Sequence, residues 1–406
     1  LAVVLVSFLA CRMQLNQTPA ETLRKDSPKV KTSSISLTTK GIFKKLKFSS
    51  KWNLRDMFRN KIRTITGIVG ITGCCMLIVC AFGMLDSLNY FVKLQFRDLY
   101  NFDYKLTLKD NISKEDLESL KFKYGNNTSK SNLIEIKDSN GRKTSNNVFI
   151  TDASDKVRFI DNKKNFIKLS QKDGVYITYK LAKNEGYKLG DTITWHLVGN
   201  DKYYKSKIIG FNKDPQNQNM TITRKYYEKL GNTYQPDSLY TNKDLKDTKE
   251  IRNVELIQDL NSLEEGMSNM LSIMKTMIVL IICIAIVLGA VIIYNMGVLS
   301  YTEKQYQFAT LKVLGFKNKQ IRKIFIKQNN IIAIISIILG LPAGYYLTDW
   351  LFKTAVEESY DFGANISLYS YIYAIVGTFL VSYIVSKVLS RKINSIDMVT
   401  SLKGNE

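Results

Sequence analysis

The chain has 406 residues, 45% of them hydrophobic, and carries a formal net charge of +22. One histidine, and five cysteines confined to apolar runs, exclude a Cys/His metal site or a disulfide framework as the basis of the fold. So basic a chain would ordinarily point to nucleic acid, but its loops alternate in sign across the apolar runs, and no nucleic-acid partner is implied.

The mean hydropathy of −0.11 hides a clumped distribution. Segments 64–85, 276–302, 328–348 and 362–386 contain no charged residue. Each meets the roughly 20 residues needed to cross about 30 Å of hydrocarbon. Segments 12–63 and 303–327 are strongly basic, whereas the short loop 349–361 is acidic. Basic segments stay on the cytoplasmic side. The expected fold is therefore a multi-pass protein of a bacterial plasma membrane, with an all-α transmembrane unit of four helices. An α+β extracytoplasmic domain rides on it, held by a helical stalk.

In chain order, the apolar stretch 1–11 is too short to span alone. It lacks the basic leader of a secretory signal. An ungapped match of 11–24 to 390–403 sets Arg12 on Arg391, Leu23 on Leu402 and Arg24 on Lys403. Such a repeat marks duplicated transporter units. Residues 1–11 are thus expected to be the end of a preceding transmembrane helix, and the chain the C-terminal half of a larger permease. Residues 12–63 read as a cytoplasmic linker, rich in Ser, Thr and Lys, that ends in an amphipathic helix over 51–63. There Trp52, Leu54, Met57 and Phe58 would sit in the interface, with Arg55, Arg59, Lys61 and Arg63 at headgroups.

Residues 64–99 are expected to form the first span and a stalk helix. Leu85, Leu88, Val92, Phe96 and Leu99 keep helical spacing beyond the membrane. On the return side, Ile257, Leu260, Leu263, Met267, Met270 and Met274 do the same, so 257–302 reads as stalk and second span. The two stripes could instead pack on the outer domain.

Between them, 100–256 is mixed. "DYKLTL", "NVFITD", "GVYITY", "DTITWHLV" and "YKSKIIGF" read as strands. "SKEDLESLKF" begins with a Ser113 cap, and "RKYYEKLG" stops at Gly231. His196 reads as a surface or packing histidine. The chain contains neither the phosphate-cradling G-x-x-x-x-G-K-[ST] nor the G-x-S-x-G nucleophile elbow. No catalytic residues, metal site or bound cofactor are expected, and the protein is not read as an enzyme.

Segment 303–327 is expected to be a cytoplasmic coupling helix. It would end at Gly315 in a left-handed turn, with Asn318 capping the helix that leads into the third span, 328–348. A passive connector resting on lipid is the alternative. Loop 349–361, a fourth span over 362–386 and a cytoplasmic tail over 387–406 complete the chain. Asn295, Asn329 and Asn330 read as inter-helix hydrogen-bonding residues; intramembrane polar residues look few.

"EKQYQFATLKVLGFKNKQIRKIFIKQN", the "GLPAG" that follows and the closing "RKINSIDMVTSLKGNE" resemble the FtsX-like permease domain of MacB-type ABC transporters. "GVYITYKLAKNEGYKLGDTITW" resembles a stretch of that family's outer domains. The resemblance implies a separate ABC-type ATPase partner, which would carry the ATP and Mg. It also implies transmission of movement from the inner face to the outer domain. Glu303, Ala309, Thr310, Leu311, Lys312, Leu314 and Gly315 match the family's coupling segment. They are the expected ATPase contacts, with Leu311 and Leu314 as apolar anchors. The expected function is an ABC permease subunit that exports or extracts an amphiphile such as a peptide, lipid or lipoprotein. The alternative is a membrane regulator that controls a cell-wall enzyme through its outer domain.

Overall fold

The computed structural model describes residues 48–137, 142–152, 155–170, 172–245, 250–355 and 360–395. It divides into two compact units, Leu1–Arg55 and Asp56–Glu406. The expectations for 1–11, for most of the linker and for the end of the tail lie outside the described residues. Helix α1, Phe48–Arg59, crosses the boundary between the units.

Among the described residues, four helices, all in the second unit, are long and apolar enough to cross a membrane. They are α2 (Lys61–Lys93), α6 (Leu260–Val313), α7 (Asn318–Ala355) and α8 (Leu368–Ser390). The expected amphipathic helix over 51–63 is in fact interrupted: α1 stops at Arg59 and α2 starts at Lys61, with Asn60 non-helical between them.

α2 packs closely on α7, and small residues make this possible. A Cβ on Gly340 would lie 2.7 Å from Cys75 Cβ, and one on Gly344 2.5 Å from Val79 Cβ. "GLPAG" is thus a small-xxx-small contact, in which glycines let two backbones approach without hydrophobic drive from lipid. One turn earlier, the Thr72 hydroxyl donates to the Ser336 carbonyl (3.3 Å) and the Ser336 hydroxyl to the Ile68 carbonyl (3.2 Å). Buried Ser336, Thr348, Thr378, Ser382 and Ser386 correct the expectation of few intramembrane polar residues. Thr348 turns its hydroxyl to the Gly344 carbonyl of its own helix, whereas Thr378 Oγ1 and Ser382 Oγ have no hydrogen-bond partner among the described residues. Of the three asparagines, Asn329 bonds Ser386 across α7 and α8 (3.1 Å), whereas Asn295 is exposed.

α2 ends in a π-helical turn, Leu94–Leu99. Its Leu88, Phe91, Val92 and Phe96 pack with Leu263, Met267, Leu271 and Ile278 of α6, and Arg97 pairs with Glu264 (2.9 Å). Two details of the stalk expectation change. Ile257 lies in a strand, and α6 begins only at Leu260, where Asp259 caps it by accepting from the Ser262 N–H. Met270 and Met274 are exposed; Leu271, one position on from the first, and Ile278, four on from the second, take the buried face.

Among the described residues, eleven strands follow the first span: β1 (Tyr104–Leu108), β2 (Thr128–Lys137), β3 (Lys143–Thr151), β4 (Phe159–Ile160), β5 (Phe166–Ile167), β6 (Val175–Thr178), β7 (Thr192–Leu197), β8 (Tyr203–Asn212), β9 (Asn219–Thr223), β10 (Ser238–Thr241) and β11 (Val254–Asp259). Nine form one sheet in the order β11-β1-β10-β2-β3-β9-β6-β8-β7. β7 also pairs with β2, so six strands close on themselves. Their interior holds Ile134, Ile150, Ile177, Ile193, Ile222 and Trp195, all fully buried. Short helices α3 (Lys114–Tyr124), α4 (Tyr179–Glu185) and α5 (Arg224–Lys229) lie between strands. Ser113 caps α3 as its sequence predicts. β2, β4, β5, β9, β10 and β11 are strands that the sequence pattern did not reveal. β9 is buried at all five positions yet contains Asn219, Thr221 and Thr223, so it shows no alternation.

On the sheet side of the bundle, α7 runs on to Ala355, beyond the expected loop start at 349. Residues 360–367 are extended rather than the start of the fourth span, because their backbone is bonded elsewhere. Asn365 N–H donates to Ser87 Oγ (2.9 Å) and Ser367 N–H to Asp86 Oδ2 (2.8 Å). Phe362 packs its ring on Phe91 at 4.6 Å. The same strap reaches the sheet domain: Lys180 Nζ donates to the Tyr360 carbonyl (2.6 Å), and Asp361 N–H to the Pro215 carbonyl (2.8 Å).

Replacing Gly344 by Leu is expected to destabilise the bundle by about 1–3 kcal/mol through overpacking against Val79. Gly377→Ala, with nothing within 4 Å of its Cβ, should leave stability unchanged or slightly raised. Thermal unfolding of both variants in one detergent checks this; equal midpoints would show that the α2–α7 approach is not tight.

Candidate functional site

The end of the bundle away from the sheet is where charge collects. Asp56, in the last turn of α1, is almost fully buried. Its Oδ1 accepts from Arg59 (3.2 Å) and Asn60 (3.1 Å). Its Oδ2 accepts from Lys304 (2.7 Å), Gln328 (2.9 Å) and Arg63 (3.0 Å). Lys304 also donates to Gln328 Oε1, and Arg63 to the exposed Glu303 carboxylate. One carboxylate thereby ties α1, α2, α6 and α7 together. Both side chains of the Asp56–Lys304 pair are 3% exposed. Burial alone would push the Asp56 carboxyl up, but Lys304, Gln328 and Arg63 outweigh it and hold the pKa below its ordinary value. A lowered carboxylate contributes stability above the ordinary carboxylate range. That contribution is lost as pH falls through the lowered value. Arg59 and Arg63 are therefore engaged with Asp56 and Glu303 rather than left for headgroups alone.

Next to this cluster, α6 continues without a break into the segment expected to be a separate coupling helix. Its inner face packs: Phe308 and Phe325 of α7 meet edge to face at 6.4 Å. Leu389 of α8 fills the space above Gly297, where a Cβ would come within 2.2 Å of it. Tyr301 donates to the Lys392 carbonyl (3.1 Å), in the 3-10 turn Arg391–Ser395.

α6 ends in a Schellman motif. Phe316 N–H donates to the Leu311 carbonyl and Gly315 N–H to the Lys312 carbonyl, both at 3.0 Å. Gly315 has φ +88°, the left-handed corner its position in sequence predicts. Asn318 is not the cap of the next helix but its first residue. Lys317 precedes it, with its N–H donating to Gln320 Oε1 (2.9 Å).

The seven expected contact residues divide by face. Glu303, Thr310, Leu314 and Gly315 are exposed, and Lys312 is half-buried. Ala309 (0%) and Leu311 (5%) are buried within the chain's own fold, so Leu311 does not present an anchor. Tyr306 (50%), Val313 (62%) and Leu314 (69%) are exposed, and with Thr310 they lie on one helical face. Sequence reasoning missed Asp56, Arg63, Lys304 and Gln328. The available signal was Asp56 standing alone among basic residues in 51–63, but its partners lie some 240–270 positions away.

Lys304→Met removes the closest cation from a buried carboxylate that keeps Arg59, Arg63, Asn60 and Gln328, and is expected to cost about 1–3 kcal/mol. Adding Asp56→Leu should recover most of it. A double-mutant cycle on unfolding in detergent measures this; strictly additive losses would mean that the two side chains do not interact.

Residues 279–398 match the family model "FtsX-like permease C-terminal". No curated protein matches the chain. The matched span takes in most of α6, the Gly315 corner, α7 and α8, and with them Lys304 and Gln328 of this site; Asp56, Arg59, Asn60 and Arg63 lie before it. That part of the chain is thus similar to an FtsX-like permease domain, and the described residues include four helices long and apolar enough to cross a membrane.

Proposed function

We propose that the chain is the permease subunit of an ABC transporter of the MacB type, driven by a separate ATPase that binds at the end of α6. The observation that carries this reading is the continuity of α6. Its 54 residues make a rod of roughly 81 Å, far longer than the about 30 Å hydrocarbon layer. The rod leaves β11 at one end, where Leu260 N–H donates to the Asp103 carbonyl (2.9 Å), and finishes at the Gly315 corner. A force on the corner is delivered to the sheet with no loop in between.

The exposed stripe of Tyr306, Thr310, Val313 and Leu314 suits an ATPase surface: apolar anchors on a rigid helix, rimmed by Glu303 and the lysines of the 317–323 turn. Leu314 keeps its expected anchor role, and Val313 takes the one expected of Leu311. ATP and Mg belong to the partner, whose hydrolysis cycle would tilt the corner. The basic excess of 303–327 puts this end in the cytoplasm and the sheet domain outside. The cargo is an amphiphile extracted at the outer face. The strap at 360–361, which grips the sheet domain independently of the stalk, also supports a second reading: movement delivered to a cell-wall enzyme. Sensitivity of a deletion strain to amphiphilic toxins favours export, and altered wall hydrolysis with unchanged efflux favours regulation.

Leu314→Asp is expected to abolish co-purification of the ATPase subunit from native membranes while insertion and thermal stability stay unchanged. Retention of the subunit would remove this surface from the assignment. Gly315→Val, which forces a β-branched residue to φ +88°, should reduce activity with the ATPase still bound. Full activity would show that the corner's geometry is not needed.

A further inference from the structure

A pocket of about 320 Å³ lies where the stalk meets the sheet. Its floor is the π-helical turn that ends the first span, a local irregularity often found at functional sites. Gln95 of that turn is 2% exposed and lines the pocket, and its Oε1 has no hydrogen-bond partner among the described residues. A buried amide oxygen left this way costs about 1–3 kcal/mol unless something donates to it. Tyr100, whose hydroxyl bonds the Gln95 side chain, and Tyr240, whose hydroxyl pairs with Ser129 Oγ (2.9 Å), add phenol rings; burial raises both hydroxyls, Tyr240 to about 12. Phe149 and Phe159 supply apolar wall, with ring centroids 6.3 Å apart.

Two cations stand on the rim. Lys105 of β1 and Arg158 beside β4 line the pocket, and neither has a carboxylate partner among the described residues; the Arg158 guanidinium lies over the Phe166 ring. The nearby Asp214 carboxylate is already satisfied: it accepts from the Gln216 and Asn217 N–H groups (3.0 Å each) and from Asn219 Nδ2 (3.2 Å). Burial raises its pKa, while those three donors favour its charged form and leave it no free acceptor turned to the rim cations. The volume is at the low end for ligand sites. It admits a ligand of amino-acid size and not a folded protein.

We propose that this pocket binds a small carboxylate carrying an adjacent N–H donor and an apolar side chain, the chemistry of an N-acylated amino acid or a peptide C-terminus. The carboxylate meets Lys105 and Arg158, the N–H serves Gln95 Oε1, and the side chain lies on the phenylalanines. The site is independent of the transport reading. Its walls include the π turn of the first span and residues 213–219, whose Lys213 and Pro215 are held by Asp361 of the strap. Occupancy is therefore felt by the spans on two sides.

The test uses the full chain in nanodiscs and calorimetric titration with N-acetylphenylalanine. N-acetylphenylalaninamide, which lacks the carboxylate, and phenylacetate, which lacks the N–H, are the controls. Saturable one-to-one binding is expected for the first, weaker by about tenfold or more for each control. Lys105→Gln and Arg158→Gln, both at half-exposed positions, should each weaken it by about tenfold, with unchanged thermal unfolding. Gln95→Met should lower affinity for N-acetylphenylalanine while leaving phenylacetate unaffected. No saturable binding at millimolar probe, equal binding of the acid and its amide, or indifference to both rim substitutions would overturn the proposal.

Discussion

A carboxylate buried at the end of a helical bundle must find donors or lose its charge. Asp56 finds five, from four helices. That requirement fixes much of what surrounds it. Asn60, at the break between α1 and α2, donates to it from four positions on. Lys304 must turn inward, which sets the rotation of α6 and sends Tyr306, Val313 and Leu314 outward. Gln328 must face both partners, which phases α7 before it enters the bundle. Farther along, packing rather than charge takes over. Gly340 and Gly344 let α7 approach α2, and the hydroxyls of Thr72 and Thr348 are absorbed by carbonyls.

Lipid exposure explains the other faces. Val279, Leu280, Val287 and Leu288 of α6 are exposed, as suits a helix whose outer surface meets acyl chains instead of water. The helices satisfy their own backbones, so this exposure carries no hydrogen-bonding cost. In the sheet domain the ordinary rule returns. Trp195 is fully buried, and its indole N–H donates to Ser206 Oγ at 3.1 Å.

The spans were legible because a long run without charge is rarely anything but a membrane helix. The Gly315 corner was legible because the left-handed conformation needs glycine. Alternating strands such as β7 and β8 were also readable. β9 was not, because a strand buried on both faces need not alternate, and its threonines and asparagine hide it further. The inward turn of Leu311 was out of reach for a related reason. Helical spacing tells which residues share a face, but a segment apolar on a broad surface does not say which face is inside. The Asp56 cluster depends on pairs hundreds of positions apart, and a single sequence carries no trace of such pairs.

The strap over 360–367 changes what the sheet domain can do. This domain is joined to the membrane by α2 through the π turn, by α6 through β11, and by the strap through Tyr360 and Asp361. Three attachments borne by separate spans resist simple lifting. When one span shifts lengthwise against the others, the geometry converts that slide into a rotation about the remaining two points. The sheet domain would then swing like a hinged plate, and the parts of it away from those attachments would travel farther than the helix that drives it.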